Sequence, residues 1–448
     1  MERRATSRSG AGFPMGAAII LAVCLIVAVG AAAPRACAAD STGQAVVEAK
    51  HDLTGSVEAQ FHYMPADGKI DSNGLRLRLS LSGEFGPVGL GLGLGDGAGE
   101  MSIGYRLGAG ADFSTTPDYK ASLSIGEAYV DLHLSSTDIR AGRQVVSWGT
   151  ADGINPTNVV NPSGLTGVGD MLTAADSGVP GRPVPAVSAS YYFPNGAAVT
   201  GVMVLDFVPA ALPAEFGPLE PVGGPENFID QLEYAARGEM MVGGWNVYAS
   251  YFSGWQDRPA AWLQFVAPEY PPVPHAAYRR MRQLGLAAAG TVGDAAVWFE
   301  GAVYLPAKLA ELETAGIIPL SSNKPCWQLV TGADYTFGNG LFTSCQLIYD
   351  SAGTLINPYT KPGEAPKGAL YALGVARYPL GDRGRLECIG LANITGKSAM
   401  IAPRYVVKLL GTVEASVAAM TIVGDATSDI GMLKSTVPGL AFGVKAGF

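Results

Sequence analysis

Histidine and cysteine are scarce in this chain, with 4 and 5 copies among 448 residues. His51, His62, His133 and His275 lie far apart, so a multi-histidine metal centre is not expected. No Cys-x-x-Cys spacing occurs, and no signature for a cofactor is seen. Charge is also sparse: Asp, Glu, Lys and Arg make up 15% of the chain and leave a net charge of −9, which argues against nucleic acid as a partner. Past the N-terminal apolar run, no stretch of about eighteen apolar residues occurs, so helical membrane spans are not expected.

That N-terminal run has the layout of an export signal. Arg3, Arg4 and Arg8 precede an apolar stretch from Gly16 to Ala33, and Ala36-Cys37-Ala38 forms an A-x-A site. A signal peptide over 1–38, cleaved after Ala38, is expected. A retained membrane helix is the competing reading, and the polar Asp40-Ser41-Thr42 start argues against it. Neither Leu21-Ala22-Val23-Cys24 nor Pro34-Arg35-Ala36-Cys37 makes a convincing lipobox. Cleavage removes four arginines and only Glu2, so the mature chain is more acidic. It leaves Cys326, Cys345 and Cys388, too dispersed for a disulfide framework.

What the chain has in abundance is alternation. Val57, Ala59, Phe61 and Tyr63 alternate with Ser56, Glu58, Gln60 and His62, and Leu75, Leu77, Leu79 and Leu81 with Arg76, Arg78, Ser80 and Ser82. Ala128 to Leu134, Val297 to Val303 and Tyr405 to Leu409 follow the same rule. A period of two means β-strands with one apolar face. The last strand, Leu440, Phe442, Val444, Ala446 and Phe448, stops on a bare aromatic. It resembles the closing strand of bacterial outer-membrane β-barrels, whose terminal aromatic is read by the barrel-insertion machinery. On that strand alone, the end of a soluble sandwich fits equally well.

Connection lengths separate the two folds. Short turns fall at Ser135–Asp138, Pro194–Gly196, Val242–Gly244, Gly293-Asp294, Gly338–Gly340, Gly381–Gly384 and Gly411-Thr412. Between them lie mostly longer connections, at about 148–183, 209–229, 257–278, 307–325, 353–368 and 425–436. Short turns in step with long loops mean that the two ends of the sheet differ, as in transmembrane barrels. The expected fold is therefore all-β: a transmembrane antiparallel β-barrel of about 18 strands, with 16 the next choice, short periplasmic turns and long extracellular loops. Nineteen strand candidates can be marked, and the surplus falls around Val88–Gly95. A short periplasmic segment is expected over 39–54 and the barrel over 55–448. So short a lead-in leaves no room for the plug domain of a TonB-dependent transporter.

The most distinctive stretch runs from Glu127-Ala128-Tyr129-Val130-Asp131 through Gly142-Arg143-Gln144 and Trp148-Gly149 to Asp152-Gly153-Ile154-Asn155-Pro156-Thr157-Asn158 and Asn161-Pro162. Here the chain resembles a family of uncharacterised outer-membrane proteins related to the alginate-export and carbohydrate porins. The detailed match covers about 40 residues. Asn158 stands where that pattern leads us to expect Asp, which would weaken any pairing with a barrel arginine.

Each Asn, Asp, Gly and Pro in this loop fixes a turn or bonds to nearby backbone, so the loop is expected to be ordered. Two placements are open: folded into the lumen as a constriction, or capping the rim with Trp148 in the interfacial aromatic belt. Pore-lining candidates by pleat parity are Arg76, Arg78, Glu127, Asp131, Arg140, Gln144, Glu300, Arg404 and Lys408. Arg143 has the opposite parity. A bulge at Gly142 that returns it to the lumen is favoured over a place near the rim.

Catalytic readings are weak, and a Ser–His pair around His133 or His62 is the nearest approach to one. The expected function is diffusion of small hydrophilic solutes, oligosaccharides or organic anions among them, across an outer membrane. Lipid and the insertion machinery are the expected partners, and the barrel acts as a monomer or a homo-oligomer. An export conduit for a polymer or lipid-like product, implied only by the resemblance, is the alternative, and a structural or adhesin barrel the third reading.

Overall fold

The computed structural model describes residues 49–64, 69–90, 99–116, 119–162, 181–210, 221–265, 270–435 and 439–448. Its main sheet is a closed antiparallel barrel of 18 strands. In chain order these are β1 Ala49–Met64, β2 Lys69–Leu90, β3 Gly99–Thr116, β4 Lys120–Leu134, β5 Thr137–Gln144, β6 Val184–Tyr192, β7 Ala198–Val204, β8 Glu233–Val242 and β9 Trp245–Trp255. They continue as β10 Arg280–Val292, β11 Ala295–Pro306, β12 Cys326–Thr336, β13 Phe342–Asp350, β14 Ala369–Leu380, β15 Gly384–Asn393 and β16 Ser398–Leu410. The last two are β17, Val413–Ala419 resumed as Thr421–Val423 after a break at Met420, and β18 Leu440–Gly447. Each strand pairs with the next, and β18 pairs with β1 from Ser56↔Gly447 to Tyr63↔Leu440, so no edge is left open.

The predicted turns all stand where turn chemistry placed them. Gly243-Gly244, Gly293 and Gly411 adopt positive φ (58°, 84°, 60° and 52°), which glycine reaches without strain. The first strand begins at Ala49 rather than at 55, because β2 runs on far enough to pair Phe85 with Ala49. Val88, Gly89 and Leu90 belong to β2, and the rest of the surplus candidate, 91–95, lies outside the described residues, as does the predicted signal peptide.

Side chains sort by pleat. Val130, Leu284, Leu286, Phe299, Leu329, Ile401 and Tyr405 point outward and stay exposed, as a lipid-facing surface requires. The alternate positions point inward and are not all wet. Trp298, Val330, Ile348, Tyr371, Leu391 and Met400 form an apolar cluster inside the barrel, closed from the loop end by Ile430 and Leu433. A second inner cluster gathers Val184, Ala186, Val202, Val204, Ala235 and Phe252 of β6 to β9. Above the loop end sits a four-stranded rim sheet of Pro221–Val222, Ala260–Gln264, Val273–Ala277 and Ile317–Pro319.

Candidate functional site

The chain leaving β5 turns into the barrel. Trp148 and Val160 of this connection are 5% and 2% exposed, packed on the inner cluster of β6 to β9. Ala151 and Ile154 pack farther round, against the cluster of β11 to β16. The segment thus lines the inner wall across more than a third of the barrel. This rejects the rim-capping alternative and removes Trp148 from the aromatic belt. Burying side chains of this kind contributes about 1.5–3 kcal/mol each.

Local chemistry shapes the segment before it reaches the wall. Asn161 accepts the Val146 N–H at 2.7 Å and donates to the carbonyls of Gln144 and Arg182 at 3.1 and 2.8 Å, tying the two legs of the loop together. The Asn155 amide donates to the Trp148 carbonyl at 2.7 Å and lies over Gly149, whose φ is +96°. Any Cβ there would collide with that amide. The Asn158 oxygen accepts only a long bond, 3.4 Å, from the Trp148 N–H. The Arg182 N–H donates to the Pro162 carbonyl at 2.8 Å.

The far wall then receives the loop. Glu300, in the middle of β11 and six strands away from β5, is 3% exposed. Its Oε2 accepts the N–H groups of Thr150 and Ala151 at 2.8 and 3.1 Å, and its Oε1 that of Thr157 at 2.7 Å. Gln346 of β13 accepts the Asp152 N–H at 3.1 Å and the Trp298 indole N–H at 3.1 Å, and donates to the Ile154 carbonyl at 3.0 Å. Gln283 and the Tyr304 hydroxyl both donate to the Pro156 carbonyl, at 3.2 and 2.8 Å. The backbone polar groups that an inward loop would otherwise bury unpaired are thereby satisfied.

Glu300 was expected to line the pore, and it does not. The loop covers it, and its partners are three backbone N–H groups and the Thr150 hydroxyl of that loop. Gln144 is corrected likewise: at 1% exposure it donates to the Ala186 carbonyl at 2.9 Å and accepts from the Ser188 hydroxyl at 3.1 Å, fastening β5 to β6. For Arg143 the expected bulge is absent. The β4–β5 ladder runs Ala128↔Arg143, Tyr129↔Gly142, Val130↔Ala141 without a register shift, so Arg143 keeps its outward parity. It sits one residue from the loop end of β5, where its Nε donates to the Ile125 carbonyl at 3.2 Å.

The remaining candidates line the opposite wall as ion pairs. Asp112 takes Arg78 at 2.8 Å and Arg76 at 3.7 Å, and Glu127 takes Arg106 at 3.6 Å while accepting the Val145 N–H at 3.0 Å. Asp131 holds Arg140 through two bonds of 2.6 and 3.0 Å, and the guanidinium stacks 4.0 Å over Tyr129. Arg404 reaches Glu387 at 3.4 Å, and Arg385 bridges Glu387 and Glu414 at 2.7 and 3.0 Å. Lys408 is exposed near the turn end, opposite Glu414 in the ladder. Sequence reading missed the wall that receives the loop. Its available signal was a run of uncharged amides, Gln283, Gln328 and Gln346, at inward positions of neighbouring strands.

No group of three or more His, Cys, Asp or Glu suited to a metal ion occurs among the described residues.

Comparison with known proteins agrees with this architecture. A family profile described as a protein of unknown function (DUF1302) matches residues 95–263, a span that contains the motif from Glu127 to Pro162. No curated protein matches the sequence. Among solved structures, the chain is similar to Acinetobacter baumannii OccAB4, with a TM-score of 0.50 and 8% identity over 90% of this chain and 98% of that one. It is also similar to Pseudomonas aeruginosa OccK5 (OpdH), with a TM-score of 0.50 and 9% identity over 90% and 97%. At such identity the likeness is one of fold: that of the outer-membrane porins.

Proposed function

We propose that this protein is an outer-membrane channel for small hydrophilic solutes, constricted by the segment from Val145 to Pro162. The observation that carries the reading is the capture of Thr150, Ala151 and Thr157 by Glu300, which fixes a loop inside a closed barrel. A loop so placed narrows the lumen against the ion-paired wall of Arg76, Arg78, Asp112, Asp131 and Arg140. Fixed charges facing a narrowed, wet path sort solutes by size and charge. The outward apolar surface supports a place in lipid, and the porin-like fold supports the outer membrane.

The terminal strand supports the insertion reading. Phe448 exchanges both backbone hydrogen bonds with Gly55 at 2.9 and 3.0 Å, and its ring lies over that glycine. In this reading the insertion machinery engages Phe448 before β18 meets β1. The signal peptide delivers the chain, so mature protein begins at Ala39.

Planar-bilayer recording tests the function. Purified protein is expected to give stable, ohmic steps. Silent insertion would contradict diffusion and return the reading to an export conduit or a structural barrel.

A further inference from the structure

At the loop end of the barrel, between the constriction segment and the connections after β9, β11 and β13, lies a cavity of about 690 Å³. That is the size of ordinary small-molecule sites. Its walls are largely apolar, with Val159, Met281 and Leu355 among them. The charged side chains that line it, among the described residues, are Arg258, Arg279, Lys324 and Asp257, an excess of positive charge.

Arg279 is the unusual member. It is 6% exposed, and no carboxylate lies within ion-pair distance of it among the described residues. Its Nε donates to Gln256 Oε1 at 2.8 Å, one Nη to Asn323 Oδ1 at 3.2 Å and the other to the Ser322 carbonyl at 3.0 Å. Asn323 is itself held by bonds to both the N–H and the carbonyl of Leu309, so the guanidinium sits in a fixed frame. A guanidinium has five N–H donors, and three neutral oxygens occupy three of them. Two donors and a full positive charge remain without a counter-ion. Burial draws Arg279 down to about 10, which still leaves it charged at neutral pH. Buried charge is costly unless a partner neutralises it, and arginine's planar fork matches a carboxylate. Arg258 and Lys324 make no side-chain hydrogen bond or ion pair among the described residues, so their charges add to the field without holding the fold. Asp257 also lines the cavity; burial first, and then the Asp257 charge, push the Tyr278 hydroxyl above its usual range.

We propose that this cavity binds a small organic anion, a carboxylate on an apolar body, with the carboxylate on the free N–H groups of Arg279 and the body against the apolar wall. The site deepens the channel reading on which it rests, since it would select solutes at the mouth. Benzoate is a suitable probe and benzyl alcohol its neutral counterpart.

Titration calorimetry on detergent-folded protein, with bilayer recording on the same preparation, tests this. One saturable benzoate site is expected, with benzyl alcohol at least about tenfold weaker and Arg279→Gln weakening benzoate by about tenfold or more. Arg279→Lys is expected to restore part of that loss, because it keeps the charge and loses the fork. Equal affinity for the two probes, or an unchanged Arg279→Gln, overturns the proposal. Should Arg279→Gln fail to fold, the double variant Arg258→Gln/Lys324→Gln is expected to weaken benzoate by about threefold or more, and no change in it is likewise fatal. Ohmic steps without saturable benzoate binding would overturn the site and leave the channel. Benzoate binding by a protein silent in bilayers would do the reverse.

Discussion

The two halves of the lumen wall hold their carboxylates in different ways. From β15 round through β1 to β5, Asp112, Asp131, Glu387 and Glu414 each face an arginine. Several of these pairs stay open to water: the Arg78 side chain is 47% exposed and that of Asp112 34%. From β11 to β13, Glu300 and Asp350 are held by backbone N–H groups, from the constriction loop and from Ala352 and Thr354. Both carboxylates are buried. In the proposed channel, an arginine-paired carboxylate tunes the field of a wet path. A carboxylate capped by N–H groups acts as an anchor, since removing it strands several donors together.

The largest break in this contrast comes from Glu300→Ala. It removes four charge-assisted bonds, three from backbone N–H groups and one from the Thr150 hydroxyl, and a loss of about 3–5 kcal/mol in loop docking is expected. The readout is a rise in single-channel conductance together with protease cleavage near residues 150–157. Glu300→Gln keeps the shape and is expected to show about half the effect. Gln346→Leu ranks next. It leaves the Asp152 N–H, the Ile154 carbonyl and the Trp298 indole N–H unpaired, for about 2–3 kcal/mol by thermal unfolding in detergent.

Glu387→Gln acts on the other wall. Its carboxylate is buried between Arg385 and Arg404, so neutralising it frees positive charge for about 1–3 kcal/mol of stability. A shift of reversal potential toward anions under a salt gradient is expected, with conductance little changed. The opposite pattern would merge the two walls into one.

The smallest effect is on pH. Desolvation, and then the nearby Asp334, raise the pKa of Asp152 above the usual carboxylate range. The docked loop therefore binds this proton more tightly than a released loop. Docking is strongest below the ordinary range and weakens as pH rises through the interval up to the raised value. Loop proteolysis is expected to slow as pH is lowered toward the ordinary carboxylate range, about pH 4, and Asp152→Asn to flatten the change.

Much of the barrel was legible in the sequence because its signals are local. The period of two, the Gly-Gly and Asn-Gly turns and the alternation of connection lengths are each written within a few residues, so strand number and pairing followed. The loop's order was legible for the same reason, since Asn155 and Asn161 bond within their own segment. Its destination was not. Glu300 and Gln346 lie 143 to 194 residues from the loop groups that they hold, and pleat parity cannot separate an inward residue that meets water from one that meets a loop. Arg143 shows the converse error. Parity alone calls for a bulge to rescue an outward arginine that the end of β5 already accommodates.

Amide hydrogen exchange tests the account at its centre. In folded wild-type protein, the N–H groups of Thr150, Ala151 and Thr157 are expected to exchange as slowly as the ladder amides of β11, and to speed up together in Glu300→Gln. Rates typical of an unprotected loop in the wild type, or rates indifferent to Glu300→Gln, would show that the segment is not anchored on the far wall.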